Sequence, residues 1–336
     1  MEKILIIGSG SWGTALGQAF ADNAQDVVIY GNNSQQIHEL NTKRTNSKFF
    51  GQLKLDTTYL RFSNSLEAIF KVWYPTMILF CVPSKALKDV MDEVSKYLLP
   101  KKEVIILNAS KGFVEDNLTP YQAFKTHVIF NQFNYVSILG PSHAEEVILR
   151  KLTFLNLCGT NDFAIKRVGK ALSSDYIKCK SNKYIFEAEL CVAFKNIIAI
   201  VCGIFSGLGY GDNAKAALYT IGLNEMQQML NLLGGSSKAV MELAGCGDLA
   251  VTCYSNNSRN FTAGRLIGEL NSYEDFIKTN NKTIEGLNAV DYFSNMLQQY
   301  NSDSLIIISL LQNIKQLVMT PEEAVKNLLK DKSENF

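Results

Sequence analysis

The chain has 336 residues, 47% hydrophobic and 19% charged, with 33 Lys and Arg against 32 Asp and Glu. That length accommodates two domains with separate cores, and that composition excludes wholesale disorder. A net charge of +1 excludes a general affinity for nucleic acid or other polyanions, so any anion site must be local.

The first stretch sets the reading of the rest. An apolar run, Ile4-Leu5-Ile6-Ile7, meets Gly8-Ser9-Gly10-Ser11-Trp12-Gly13 and continues through Thr14-Ala15-Leu16-Gly17-Gln18-Ala19-Phe20. The order is strand, tight turn, helix. Gly8 permits the sharp turn, Gly10 lets backbone approach a pyrophosphate, and Gly13 lets helix pack on strand. The new helix presents unpaired N–H groups and its positive dipole end to an anion. A dinucleotide site is expected here; the alternative is a glycine-rich turn in some other parallel α/β sheet.

Met1-Glu2-Lys3 leads straight into that strand, so neither a basic leader segment nor a cleavage site is expected. The longest apolar run, Ile197 to Phe205, is interrupted by Gly203 and falls short of a bilayer. Cysteines stand at 81, 158, 179, 191, 202, 246 and 253, an odd and scattered set without metal or redox spacing. A soluble cytoplasmic protein with reduced core thiols and no metal is expected.

Further along, Asp26-Val27-Val28-Ile29-Tyr30 reads as a second strand, ending at Gly31-Asn32-Asn33-Ser34. Neither the acid that takes a ribose hydroxyl nor the arginine that takes a 2′-phosphate is present, so Asn32 leaves NAD against NADP open. A weak strand and helix follow at Leu60 to Phe62 and Ser65 to Phe70. Thr76 to Val82 reads as a strand buried on both faces, and Glu103 to Asn108 as the next. Strands alternating with helices predict a parallel, doubly wound sheet.

Two strand ends carry polar groups at the carboxyl edge, where such sheets bind ligands: Asn108-Ala109-Ser110-Lys111-Gly112, and Tyr135 to Leu139 followed by Gly140-Pro141-Ser142-His143-Ala144. The second is expected to start a helix at Ser142, with His143 as a surface or cap histidine. Thr153 to Leu157, Phe163 to Leu172 and Tyr176 to Lys180 complete a first domain over residues 1–183. The polar break Ser181-Asn182-Lys183 marks the boundary, and residues 184–336 form a helical domain.

In that second domain, Leu190 to Cys202 is apolar on every face except at Lys195-Asn196. A lysine in a helix buried all round must find partners or surrender its proton, and the latter is how a lysine becomes a base near neutral pH. Leu243 to Cys253 is an apolar segment holding one acid, Asp248, the natural carboxylate to orient Lys195. Tyr254-Ser255-Asn256-Asn257-Ser258-Arg259-Asn260 precedes a helix expected from Thr262 to Leu270, and suits a phosphate grip. Further helices are expected at Ala214 to Leu230, from Thr283-Ile284-Glu285-Gly286, at Ser304 to Leu317 and at Pro321 to Leu329.

Taken in order, Gly8 to Leu16, Ser110-Lys111-Gly112, Gly140-Pro141-Ser142, Phe194 to Ala199, Gly211 to Ala217, Gly247-Asp248-Leu249, Thr252-Cys253, Ser258-Arg259-Asn260 and Ile284-Glu285-Gly286 resemble the bacterial-type NAD(P)-dependent glycerol-3-phosphate dehydrogenases over essentially the whole chain. The resemblance implies a Rossmann-type doubly wound N-terminal domain, an all-α C-terminal domain, and reversible hydride transfer between NAD(P)H and dihydroxyacetone phosphate. The product, sn-glycerol 3-phosphate, is a precursor for glycerophospholipids.

It further implies that Lys195 exchanges a proton with the C2 oxygen, that Asp248 positions Lys195, and that Lys111 helps to hold substrate and polarise that oxygen, with Asn196 and Thr252 in support. Arg259, with Ser258 and Asn260, is implied to clamp the phosphate. The NAD or NADP contacts it implies are Gly8, Gly10, Ser11, Trp12, Gly13, Asn32, Lys111, Gly140, Ser142, Ala144, Arg259, Ile284 and Glu285. A homodimer acting on a small-molecule substrate, without nucleic acid or a membrane span, is expected. Two positions depart from the pattern: Gly31-Asn32 where many bacterial members carry Gly-Arg, and the loose Asn301-Ser302-Asp303-Ser304 segment. The rivals are a hydroxyacid or ketopantoate-type reductase, whose substrates lack a phosphate, and a non-catalytic cofactor sensor, expected to have lost Lys195 or Asp248.

Overall fold

The aliphatic runs of the first half become the strands of one sheet in a computed structural model that describes residues 1–99, 102–255, 258–280, 283–299 and 305–330. These are β1 (Lys3–Ile7), β2 (Asp26–Tyr30), β3 (Leu60–Ser63), β4 (Met77–Phe80), β5 (Ile105–Asn108), β6 (Asn134–Leu139), β7 (Thr153–Gly159) and β8 (Ile177–Asn182). Their order is β3-β2-β1-β4-β5-β6-β7-β8. β1 is flanked by β2 and β4, both parallel to it, with Ile6 opposite Ile29 on one side and Leu79 on the other. From β1 the chain goes first toward β3 and then back past β1 to β4. The carboxyl ends of β1 and β4 are therefore the switch point, where an open parallel sheet has its ligand crevice.

One strand departs from the all-parallel expectation. β7 runs antiparallel to β6, with Leu139 opposite Asn156. A parallel connection needs a crossover, usually a full helix; between β6 and β7 the helix is the single turn Ala144–Val147. β8 is parallel to β7. Ser181 and Asn182 are the last residues of β8 rather than a break, and the chain divides into compact units Met1–Phe186 and Glu187–Phe336.

The second unit is built on the helix Ile185–Gly207, in which Leu190 to Cys202 are all buried. This 23-residue helix is long and apolar enough to cross a membrane, longer than the run expected from Ile197 to Phe205. Its apolar window is 89% buried inside the protein, as a core helix is. Lys195 and Asn196, the polar pair in this run, are both buried within the helix, and Gly203 does not interrupt it.

The helix Arg259–Leu270 crosses this core helix at backbone contact. A Cβ on Gly203 would lie 2.2 Å from Phe261 O, on Gly207 2.2 Å from Arg265 O, on Gly264 2.0 Å from Ile200 O and on Gly268 2.3 Å from Ile204 O. Four glycines at two i,i+4 spacings thus make the crossing possible. Asp212–Leu232, the short helical turns Ser237–Met241 and Leu243–Gly247, and the helices Asp248–Cys253, Tyr273–Thr279, Glu285–Gln299, Ile306–Lys315 and Pro321–Lys330 are the other helical elements of the unit among the described residues. Tyr273–Thr279 is absent from the sequence reading, and Asn256, Asn257 and Asn301 to Ser304 lie outside the described residues.

Glu225, on the 212–232 helix, is 4% exposed. Its Oε1 accepts the Ile307 N–H at 2.9 Å and so caps the 306–315 helix, whose own N-cap residue, Leu305, has no polar side chain to offer. Burial raises its carboxyl from 4.5 to about 7, against the lowering effect of the Ile307 and Ile306 N–H groups. A carboxyl whose folded pKa exceeds its unfolded one contributes stability that is complete below about pH 4.5 and lost as pH rises through about 7. A shift of that size corresponds to about 3 kcal/mol at most. The melting temperature of the wild type should therefore fall between pH 5 and 8 by several degrees more than that of Glu225→Gln. Parallel pH profiles for the two proteins would contradict this.

Candidate active site

In the first unit the Gly8 to Gly13 turn has the geometry its glycines predict. Gly8 has φ +119° and donates its N–H to Tyr30 O; a Cβ there would stand 2.4 Å from Cys81 O at the end of β4. A Cβ on Gly13 would lie 2.0 Å from Gly8 O, so the helix Ser11–Asp22 leaves the turn in direct contact with it. Gly10, the N-cap of that helix, differs: a Cβ there would meet nothing within 4 Å. Its missing side chain serves no protein contact and leaves open space at a helix N-terminus, which is what a pyrophosphate needs. Beside it the Trp12 indole N–H is buried without an acceptor among the described residues. The site fits a dinucleotide.

Residues that the sequence reading passed over hold this turn. Ser9 Oγ donates to Gln36 Oε1 at 2.8 Å, Gln36 Nε2 donates to Ser9 O at 2.8 Å and Asn46 Oδ1 at 2.9 Å, and Asn46 Nδ2 donates to Thr14 Oγ1 at 2.8 Å. A cross-linked network of this kind rigidifies the loop it encloses. Asn32 is exposed just beyond β2, after Gly31, which packs against Ser9.

Two further turns close the carboxyl edge. Asn108, wholly buried at the end of β5, accepts from Ser110 N–H at 3.2 Å and donates to Ser110 O at 3.1 Å, bracing the turn that presents the half-buried Lys111. After β6, Gly140 has φ +134° and Ser142 Oγ donates back to Gly140 O at 3.0 Å. Ser142 does not start the helix as expected: that position is His143, whose ring makes no cap bond and whose buried Nε2 has no partner among the described residues. Spending its hydroxyl on Gly140 O removes Ser142 from the capping role. Ala144 is buried at the start of the short helix.

In the second unit the chemistry sits on the core helix. Lys195, 4% exposed, places Nζ 2.5 Å from the Asp248 carboxylate and 2.9 Å from Thr252 Oγ1. Of the two fates open to a buried lysine, it has found partners. Asp248, 1% exposed, and Thr252 are i,i+4 on the helix Asp248–Cys253, so both face Lys195, and Thr252 in turn donates to Asp248 O at 2.5 Å. The π-helical turn Leu243–Gly247 delivers Asp248 to this point; Tyr219 Oη donates to Cys246 O at 2.9 Å and fixes it. Irregular helical turns of this sort are frequent at functional sites.

One residue on, Asn196 Nδ2 donates to Glu285 Oε2 at 3.2 Å, and Arg259 Nη2 lies 3.4 Å from Glu285 Oε1. The helix expected from Thr262 begins instead at Arg259, because Ser258 is its N-cap and accepts from Phe261 N–H at 3.2 Å. Asn260 Oδ1 accepts from Gly286 N–H at 3.0 Å, tying that start to the start of the 285–299 helix behind the buried Ile284. The Arg259 and Asn260 N–H groups have no backbone acceptor among the described residues. An arginine at a helix start whose N–H groups lack backbone acceptors has the chemistry that suits an anion.

Two family models match the chain, the N-terminal part of NAD-dependent glycerol-3-phosphate dehydrogenase over residues 3–163 and its C-terminal part over residues 185–326. The chain belongs to this family. A glycerol-3-phosphate dehydrogenase [NAD(P)+] of Streptococcus agalactiae serotype III is 38% identical over 302 residues, covering 89% of this chain and 88% of that one. One from Bacillus cereus strain AH187 is 38% identical over 298 residues, covering 85% and 84%. The crystal structure of the Coxiella burnetii glycerol-3-phosphate dehydrogenase superposes with a TM-score of 0.88 at 29% identity, covering 98% of this chain and 99% of that one.

Within the glycerol-3-phosphate dehydrogenase frame, the structure joins Lys195, Asp248 and Thr252 in one cluster and Asn196, Arg259, Asn260, Glu285 and Gly286 in a second. Gly8, Gly10, Ser11, Trp12 and Gly13 form the turn of the first unit, with Lys111, Gly140, Ser142 and Ala144 on the ends of β5 and β6. Ser258 has its hydroxyl oxygen committed to the cap. Glu285 belongs, by its contacts within this unit, with the Arg259 group.

Proposed function

We propose that the chain reduces dihydroxyacetone phosphate to sn-glycerol 3-phosphate with NADH or NADPH, reversibly, and so feeds glycerophospholipid synthesis. The observation that carries this is the buried Lys195 and Asp248 pair, 2.5 Å apart in an otherwise apolar helix core. Family membership and the 38% identity to proteins named glycerol-3-phosphate dehydrogenase [NAD(P)+] support the substrate.

When bound, the nicotinamide supplies or takes the hydride at C2. The side chains manage the accompanying charge and proton. Lys195 holds an ammonium proton for the C2 oxygen, which gains negative charge as the carbonyl is reduced, and a preorganised donor there stabilises the transition state. Asp248 and Thr252 fix the direction in which that proton is held. Lys111 adds a second cation toward the same oxygen, and Asn196 is a hydrogen-bond donor beside it. Arg259 with the open N–H groups of its helix start grips the phosphate, and binding energy remote from C2 serves to orient it. Gly8, Gly10, Ser11, Trp12 and Gly13 hold the pyrophosphate; Gly140, Ser142, Ala144, Ile284, Glu285, Lys111, Arg259 and Asn32 complete the cofactor contacts. A homodimer is part of this reading, and the seven free cysteines are in keeping with a cytoplasmic location.

The phosphate grip is tested by Arg259→Ala. It should raise the KM for dihydroxyacetone phosphate by roughly a hundredfold, the loss expected of a charge-assisted contact, and leave the KM for unphosphorylated dihydroxyacetone unchanged. An unchanged KM for the phosphorylated substrate would remove Arg259 from this role. Gly10→Ala separates folding from binding: because its Cβ meets no protein atom, the melting temperature should hold or rise slightly while the NADH dissociation constant rises at least about tenfold. Unaltered NADH affinity would place the pyrophosphate elsewhere.

A further inference from the structure

Arg259 already has an anion beside it. Glu285 opens the 285–299 helix and spends one oxygen on Asn196, at 3.2 Å, and the other on Arg259, at 3.4 Å. Its backbone is held from two sides, since Gly286 N–H donates to Asn260 Oδ1 and a Cβ on Gly286 would stand 2.6 Å from Asn196 O. The carboxylate side chain is 28% exposed, whereas the Arg259 side chain is 64% exposed. The acid is anchored at a meeting of three helices, and the guanidinium is free to turn away from it.

We propose that Glu285 stands in for the substrate phosphate: it holds Arg259 in place until substrate arrives, and then yields Arg259 to a dianionic phosphate while keeping Asn196. The inference rests on the reading of Arg259 as the phosphate grip. Charge decides the exchange. A phosphate monoester carries between about one and a half and two negative charges near neutral pH, against one on the carboxylate. A monoanion only equals Glu285 and lacks its tether, so it displaces the carboxylate from Arg259 less readily than a dianion does.

The same arrangement predicts the sign of removing the charge. Glu285 repels an arriving phosphate a few ångströms away, an effect of about three- to tenfold on affinity at a solvated site. The hold it exerts on a mostly exposed arginine through one long contact is worth less. Glu285→Gln, which keeps an oxygen for Asn196, should therefore tighten phosphate binding.

The test is a cycle of four full-length proteins, wild type, Glu285→Gln, Arg259→Ala and the double variant. The readings are the KM for dihydroxyacetone phosphate, the inhibition constants of inorganic phosphate and formate, and the NADH dissociation constant. Glu285→Gln is expected to lower the KM and both inhibition constants about three- to tenfold, and the same change made in the Arg259→Ala background is expected to shift them much less, because without Arg259 nothing draws the anion to within a few ångströms of Glu285. Equal constants in Glu285→Gln and wild type overturn the proposal. So does a shift of the same size with and without Arg259, or a change confined to NADH affinity, which would leave Glu285 a cofactor contact. Should Arg259→Ala itself leave the KM untouched, the phosphate-grip reading fails first and takes this inference with it.

Discussion

Replacing Lys195 by alanine is expected to lower kcat by at least about a thousandfold while NADH still binds to the first unit. General acid catalysis contributes about 10² to 10⁴ in rate, and Lys195 is the cation that faces the Asp248 carboxylate and the Thr252 hydroxyl. The same change strands a carboxylate that is 1% exposed. Breaking a buried pair from one side costs about 3–5 kcal/mol, whereas replacing both partners by apolar residues is often neutral. Lys195→Ala should thus be both inactive and less stable, and Lys195→Met with Asp248→Leu should recover the melting temperature without recovering turnover. Steady-state kinetics and thermal melts on both variants separate the two effects. Turnover within a few-fold of wild type in Lys195→Ala would end the assignment.

The second large effect is on packing. Gly264→Ala puts a Cβ 2.0 Å from Ile200 O, 2.7 Å from Ile200 C and 2.9 Å from Ile200 Cα. All three are backbone atoms of the core helix, so no rotamer change relieves the overlap and the two helices must separate. Overpacking of this kind costs about 3 kcal/mol, or roughly 4 °C in melting temperature for a chain of this length. The crossing helices carry Lys195 and Arg259 respectively, so kcat should fall with stability. An unchanged melting temperature would mean that the crossing is looser than the glycines indicate.

The parts legible in the sequence are those whose cause is local. The dinucleotide turn can be read because each of Gly8, Gly10 and Gly13 answers a need of its own few residues, and β2 because Val27 to Tyr30 is an unbroken apolar and aromatic run. Lys195 stands out because its charge interrupts an apolar helix, and Asp248 because it is the one acid in an apolar segment. What could not be read depends on contacts far apart in sequence. Glu285 finds Asn196 across 89 positions, and Gln36 and Asn46 reach Ser9 across 27 and 37; no spacing rule signals either.

The direction of β7 is set by the short connection after Gly140, where a helix was expected to start at Ser142 and the single turn Ala144–Val147 forms. The start at Arg259 was hidden because Ser258 was grouped with the phosphate residues, although a serine three positions before Phe261 is also a cap signal. The span of the core helix was underestimated because Gly203 was counted as an interruption, when the helix runs through it to Gly207.

The central claim is that the side chains around Lys195 serve hydride transfer to C2 of a phosphorylated ketone. Its most direct test is to incubate the purified chain with dihydroxyacetone phosphate and NADH or NADPH fully deuterated at the transferable carbon, and to weigh the product. Glycerol 3-phosphate carrying one deuterium at C2 is the expected result. Product without the label, or no product with either nucleotide, would contradict it.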